Sequence, residues 1–262
     1  MQKKGAEKRC SKSAVAQPRR RRIIHQRTST VELEHVIMQR EGERARRLAG
    51  QVERQLREVR AKQGGARRVA MLIYRAADEG IRQAQAEVDC KRGCSMCCHY
   101  HVMVSATEAL ALAQRAKDMP PEQLDRVTLR LEDNVARTAT MTRSQHISTN
   151  VPCAFLESDE CTIYEDRPLA CRKHHSKQVE ICQRTFADPG HDANHEQDLA
   201  WIVSAEAVIQ ANDAASKRAG FDATRYEMSA AVLAALKSTS ASQRRWRDGK
   251  LAFPNVLDKS SV

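Results

Sequence analysis

The sequence predicts a mostly α-helical fold: a small helical domain with an irregular, cysteine-rich metal-binding loop region and a basic, partly disordered N-terminal extension. Apolar residues recur at helical spacing in several segments, and aromatic residues make up only 4% of the 262 residues. Eight of the nine cysteines fall into two clusters. With so few aromatic side chains to build a core, ligation of a metal by these clusters would supply additional stability.

The N-terminal part of the chain is basic. Residues 1–68 hold 20 Lys and Arg against 7 Asp and Glu, a net charge of +13, whereas the remainder holds 24 against 26. Residues 1–28 offer little to bury and are predicted to be a disordered tail. Residues 29–65 are predicted to form an exposed, charged helix, on which Leu48, Val52 and Leu56 recur at helical spacing.

Residues 66–237 are predicted to form the helical metal-binding domain, and residues 238–262 a loosely ordered tail. Val69, Ile73 and Ile81 lie on an apolar stripe that leads towards the first cysteine cluster. Further along the chain we expect an extended segment at 101–104 and a helix at 106–117 that opens with a capping box formed by Ser105 and Glu108. Another helix is expected from Pro120 to about His146, followed by an irregular stretch at 150–195. The last two helices are expected at 198–218 and from after Asp222 to 237.

The chain lacks an N-terminal apolar segment of the kind that forms a signal peptide, so we expect a cytoplasmic location. No apolar run approaches the roughly 20 residues that span a bilayer, and no membrane partner is expected. In a reducing compartment, clustered cysteines are more often metal ligands or catalytic groups than structural disulfides.

The two cysteine clusters are the candidate metal site. Thiolates suit zinc or an iron–sulfur cluster, and ligands from two separate chain segments must converge in space. The sequence leaves open whether the first cluster is helical or turns at Gly93, and whether Cys98 and Cys182 are ligands. Cys10 lies in the basic tail and is read as incidental. The predicted ligands are Cys90, Cys94, Cys97, Cys98, Cys153, Cys161, Cys171 and Cys182.

Other side chains near the clusters have two alternative roles each. The cations Arg167 and Arg172 either offset the negative charge of several thiolates or bind an anionic ligand, and support of the cluster is favoured. Histidines can replace cysteine as zinc ligands, although exposure in a basic loop is more common. The weaker ligand candidates are His99, His101, His174 and His175, and the residues expected to pack are Phe155, Tyr164, Trp201 and Trp246.

The cysteine clusters and their flanking residues resemble those of the YkgJ-like cysteine-cluster proteins, also described as the zinc- or iron-chelating CxxCxxCC domain. The resemblance covers residues 85–185. Its matching elements are Cys90–Cys98, the following residues 102–105 with Glu108, Pro152–Leu156 and Cys161–Arg172. It implies chelation of zinc or iron and no defined reaction.

The favoured function is therefore ligation of zinc or an iron–sulfur cluster in an undefined cellular process. One alternative is a protein-modifying enzyme related to the flagellin lysine N-methylases, which resemble carriers of a similar cluster. Another is binding of a nucleic acid or an acidic protein through residues 1–68. The sequence predicts no catalytic residue, and whether the chain is an enzyme stays open.

Overall fold

The computed structural model describes residues 30–190 and 196–256, and within them the chain is mostly helical, as predicted. Two short antiparallel strand pairs, β1 with β4 and β2 with β3, accompany the helices. No helix in these ranges is long and apolar enough to cross a membrane. The α-helices are α1 Thr30–Ala61, α2 Arg67–Ala84, α3 Ala106–Lys117, α4 Pro121–Thr138, α5 Arg143–Ile147, α6 Leu169–Lys173, α7 Val179–Ala187, α8 Leu199–Arg218, α9 Met228–Lys237 and α10 Thr239–Arg247. The strands are β1 Met103–Ser105, β2 Leu156–Glu157, β3 Glu160–Cys161 and β4 Arg225–Glu227, and residues Met96–His99 and Tyr164–Asp166 form 3-10 turns.

The core lies between two groups of helices. Helix α8 packs against α1 and α2, while α9 packs against α3 and α4, and α2 contacts α3 across the middle. The largest fully buried side chains include Tyr74, Leu56, Leu131 and Trp246. One continuous apolar cluster joins the two groups, which gives the cysteine region a single scaffold.

The two strands of the pair β1–β4 lead directly into helices α3 and α9. Val104 pairs with Tyr226, and Ser105 pairs with Arg225. Ser105 caps α3 in a capping box with Glu108, as the sequence predicts, and the Glu227 carboxylate accepts hydrogen bonds from the first turn of α9. The N-terminal ends of α3 and α9 are therefore fixed to one ladder.

The expectation of an exposed helix over residues 29–65 is wrong for the second half of α1. Leu48, Val52 and Leu56 are at most 5% exposed, and this half packs against α8. The Arg60 guanidinium donates hydrogen bonds to the carbonyls of Ala219 and Gly220, 2.7 and 2.6 Å away. A charged helix can still bury a narrow apolar stripe, so α1 belongs to the same core as the cysteine-bearing part.

The first half of α1 is exposed, with Val31 and Val36 more than half accessible. In this half, Arg40 and Arg44 pair with the Glu41 carboxylate at 3.0 and 2.8 Å. Of the +13 charge in residues 1–68, +9 belongs to residues 1–29. The predicted disordered tail and Cys10 lie there, outside the described residues, and binding of nucleic acid or acidic protein by this region stays a prediction.

Two further segments also differ from expectation. The predicted helix from Pro120 to His146 is interrupted, and Thr142 opens α5 with its own capping box. The expected loose tail at 238–262 is wrong for 239–256, because Trp246 in α10 is fully buried and meets Phe221 edge to face. Isolated aromatic residues anchor this segment although it lacks a long apolar pattern.

Truncation of Leu56 to alanine should destabilise the protein by about 2–5 kcal/mol, because it opens a cavity in the core. The matched control is Leu33→Ala in the same helix, where the leucine is 53% exposed and the change should stay within about 0.5 kcal/mol. Chemical denaturation of both variants measures the difference. Equal destabilisation would show that α1 does not pack as described.

Candidate metal centre

Seven of the eight predicted ligands line one cavity of about 270 Å³. Cys182 lies on α7 and is 6% exposed. The cavity brings together chain segments that are more than fifty residues apart, as a shared metal site requires. Its cysteines are Cys90, Cys94, Cys97, Cys98, Cys153, Cys161 and Cys171.

The first cluster is a turn followed by a 3-10 helix. Gly93 has a φ of +87°, a conformation that glycine adopts readily, and Cys94 N donates to the Lys91 carbonyl at 3.1 Å. Cys97 and Cys98 then lie in the 3-10 turn Met96–His99. Of the two arrangements left open by the sequence, the structure has the turn at Gly93.

The second cluster comes from separate short elements. Cys153 N donates to the Cys98 carbonyl at 2.8 Å, which joins the two clusters through the backbone. Cys161 lies in β3 opposite Leu156 of β2. Cys171 lies in α6 and Cys182 in α7. The stretch expected to be irregular therefore consists of short elements linked by turns.

Glu108 holds the helix that carries Cys171. One carboxylate oxygen accepts hydrogen bonds from Ser105 N and Oγ, both at 2.9 Å, and the other accepts from Leu169 N at 2.8 Å. Glu108 is 1% exposed. The sequence identifies it as part of the α3 capping box, but its contact with α6, 61 residues away, has no sequence signal.

Arg172 fixes the loop in front of Cys171. Its guanidinium donates to the carbonyls of Arg167 and Glu165 at 2.9 and 2.6 Å, and pairs with Asp78 of α2. It also lies 4.7 Å from the centre of the Tyr74 ring. Because its side chain is only 3% exposed, Arg172 supports the cluster structurally, as expected, and is not free to bind an anion.

The histidines and aromatic residues near the cavity have different surroundings. In His175, Nε2 accepts a hydrogen bond from Asp198 N at 2.7 Å and Nδ1 lies 2.9 Å from the Lys173 carbonyl, so both ring nitrogens are engaged. Its ring stacks on Trp201, which lines the cavity. The cavity is also lined by His101, His174 and Tyr164, whereas Phe155 and Trp246 lie in the core and His99 packs on Phe186.

The buried thiols hold their protons tightly. Burial raises the pKa of Cys90 to about 11 and that of Cys153 to about 12, and it raises the pKa of Cys171 well above its usual value. The pKa of Cys97 is raised first by a hydrogen bond with Cys98 and then by burial. The Arg167 guanidinium opposes the rise in the pKa of Cys171. These four thiols are protonated at neutral pH unless a cation replaces the protons.

The cysteine thiols suit a metal that prefers sulfur ligands, but they are not arranged as a closed coordination shell. Across residues 30–190 and 196–256, no three or more Cys, His, Asp or Glu side chains form a ready metal-holding group. Protonated thiols spread around a cavity need to lose protons and rotate before several can bind one ion. Ligation of zinc or an iron–sulfur cluster by the eight cysteines stays a prediction.

Sequence reasoning missed the partners of the first cysteine. The Ser176 N–H donates to Cys90 Sγ at 3.2 Å, and Asp89 N donates to the Ser176 carbonyl at 3.1 Å. A serine 86 residues from its cysteine gives no local pattern. Tyr100 also lines the cavity, and it was not identified from the sequence either.

Replacement of Arg172 by methionine should destabilise the protein by about 2–4 kcal/mol, because two carbonyls in the loop lose their donor and the Asp78 carboxylate loses its partner. Lys173→Met is the matched control, since Lys173 pairs with Glu206 at the surface, 3.1 Å away with both side chains more than a third exposed, and should cost below about 1 kcal/mol. Thermal unfolding would be compared. If both variants unfold alike, Arg172 does not hold this loop.

Binding of zinc should release protons and strengthen as pH rises. The raised pKa values of Cys90 and Cys153 mean that each ligand thiol must lose its proton when zinc binds at pH 7. Calorimetric titration in two buffers of different ionisation enthalpy should give about one proton per thiol that becomes a ligand. Binding without proton release between pH 6 and 8 would contradict ligation by these thiols.

Comparison with family models finds one match, over residues 89–195, to the CxxCxxCC family described as "Putative zinc- or iron-chelating domain". The match covers the eight clustered cysteines. Comparison with curated proteins and with solved structures gives no match. The resemblance to the CxxCxxCC domain that was stated from the sequence is thereby confirmed over residues 89–195.

Proposed function

We propose that this protein ligates zinc or an iron–sulfur cluster through the thiolates of its eight clustered cysteines. The observation that carries the proposal is the cavity wall, to which seven cysteines from distant segments contribute. The alternative that these thiols are ordinary buried apolar groups does not explain why so many share one cavity. Metal chelation also agrees with the family description of residues 89–195.

The surrounding residues suit a site with several thiolates. The Ser176 N–H already donates to Cys90 Sγ, and such a bond stabilises a thiolate more than a thiol. Arg167 lines the cavity, with its guanidinium 4.0 Å from the centre of the Tyr164 ring. This fixed cation offsets part of the negative charge that the thiolates bring.

A bound ion would cross-link the segments, and an iron–sulfur cluster would in addition provide electron transfer. The chain's own residues determine access to it. Trp201 donates its indole N–H to the Arg172 carbonyl at 2.9 Å, which fixes the ring in the cavity wall. Tyr100 lies on the same wall. These aromatic side chains limit entry of water.

Anaerobic purification followed by metal and acid-labile sulfide analysis tests the proposal. We expect stoichiometric zinc without colour, or iron with sulfide and visible absorption. Cys171→Ser should lower the metal content and the thermal stability, whereas Cys10→Ser, outside the clusters, should change neither. Full metal content and unchanged stability in Cys171→Ser and in a second variant, Cys94→Ser, would overturn ligation by these cysteines.

A further inference from the structure

We propose that the eight cysteines form two metal centres rather than one. Cys90, Cys94 and Cys182 belong to the first centre, and Cys153, Cys161 and Cys171 belong to the second. Cys97 and Cys98 lie between them and complete the two sets. This division rests on the proposed function, because it requires that the cysteines ligate metal.

The beginning of the first cluster is fastened to α7. Ser176 N lies 3.2 Å from Cys90 Sγ, and Val179 N, at the start of α7, donates to the Asp89 carboxylate at 2.9 Å. Cys182 follows Val179 by three residues in the same helix. The 3-10 turn Met96–His99 also contacts α7. Cys90 and Cys182, distant in sequence, are thus brought to one side of the cysteine region.

The end of the first cluster is fastened to a different segment. Cys153 N donates to the Cys98 carbonyl at 2.8 Å, and Val151 N donates to the His99 carbonyl at 3.2 Å. From this point the chain enters the β2–β3 hairpin that carries Cys161. Cys171 is held by the Glu108 contact to Leu169. The start of the cluster is therefore joined to α7, whereas its 3-10 turn contacts α7 and also forms backbone hydrogen bonds with the 151–153 segment that leads to Cys161.

Ser176 contacts two members of the first set. Its backbone N–H donates to Cys90 Sγ at 3.2 Å, and its side chain is hydrogen-bonded with Cys182. Cys97 and Cys98 are hydrogen-bonded neighbours in the 3-10 turn Met96–His99. This turn lies between the start of the cluster and the segment that carries Cys153.

The size of the cavity and the number of donors also favour two centres. A tetrahedral zinc takes four sulfurs at about 2.3 Å, which occupies little of a cavity of about 270 Å³. One such ion would leave four other cysteines of the region unligated and protonated. Two four-thiolate centres, each of zinc or of an iron–sulfur cluster, use all eight donors.

Metal stoichiometry of the full chain tests the division, with Cys182→Ser and Cys161→Ser as single variants and their combination as the double variant. We expect two zinc ions or two clusters per wild-type chain, about half of the metal in each single variant, and nearly none in the double variant. Cys10→Ser should retain all of it.

Stepwise removal of metal from the wild-type protein by a chelator gives a second measurement that does not depend on the variants folding. Two resolved steps, each releasing about half of the metal, are expected. A wild-type chain with one ion or one cluster, or a Cys182→Ser chain with full metal, would overturn the two-centre division and leave metal ligation intact. A wild-type chain without metal after anaerobic preparation would overturn the proposed function as well.

Discussion

The constraint that governs this structure is that closely gathered, buried thiols can become charged only when a cation neutralises them. Burial raises the pKa of Cys90, Cys153 and Cys171, and each neighbouring thiolate would raise it further. As thiols they make weak hydrogen bonds and fill space; as thiolates they need a metal. A protein that binds metal through such thiols must therefore hold the cysteines close together, while keeping them stable when protonated.

Buried polar side chains, together with the apolar core, hold the cysteine segments in place. Glu108 ties the start of α6 to the start of α3, Arg172 ties the loop before Cys171 to α2, and His175 ties the chain after α6 to Asp198 before α8. Glu108, Arg172 and His175 are each at most 2% exposed, and each contact links residues that are far apart in sequence. A lost partner would leave a polar group unsatisfied, so these contacts specify one arrangement of the loops.

Much of the helical scaffold can be read from the sequence, because helix periodicity and capping are local. Helix α3 begins and ends where the Ser105–Glu108 box and the apolar pattern place it, and α8 ends before Gly220 as expected. The burial of α1 and of Trp246 could not be read in this way, since a narrow stripe or a single aromatic residue depends on a distant partner for its cover. The same limit applies at the site.

Membership of the cysteine clusters is visible in the sequence because the residues are close in number and alike in chemistry. The proposed division into two centres is not visible, because it is argued from the contacts of Cys90 with Ser176 and of Cys98 with Cys153. Neither contact follows a spacing rule. The sequence singles out Arg172 and Glu108, but it gives no signal for their distant partners, Asp78 and Leu169.

The helical core also prepares the site for metal. The segment 89–195 lies between α2 and α8, and these two helices pack against each other. Their packing brings the ends of the intervening chain together, so the entropy of closing this long loop is offset by apolar burial rather than by metal binding. Helix α3, within the segment, is in turn covered by α2 and α9 from outside it. The cysteine domain therefore depends on helices beyond its own bounds, and less of the metal-binding free energy is spent on ordering the chain. What would remain for a bound metal to drive is local: release of the thiol protons and rotation of the side chains into a coordination shell.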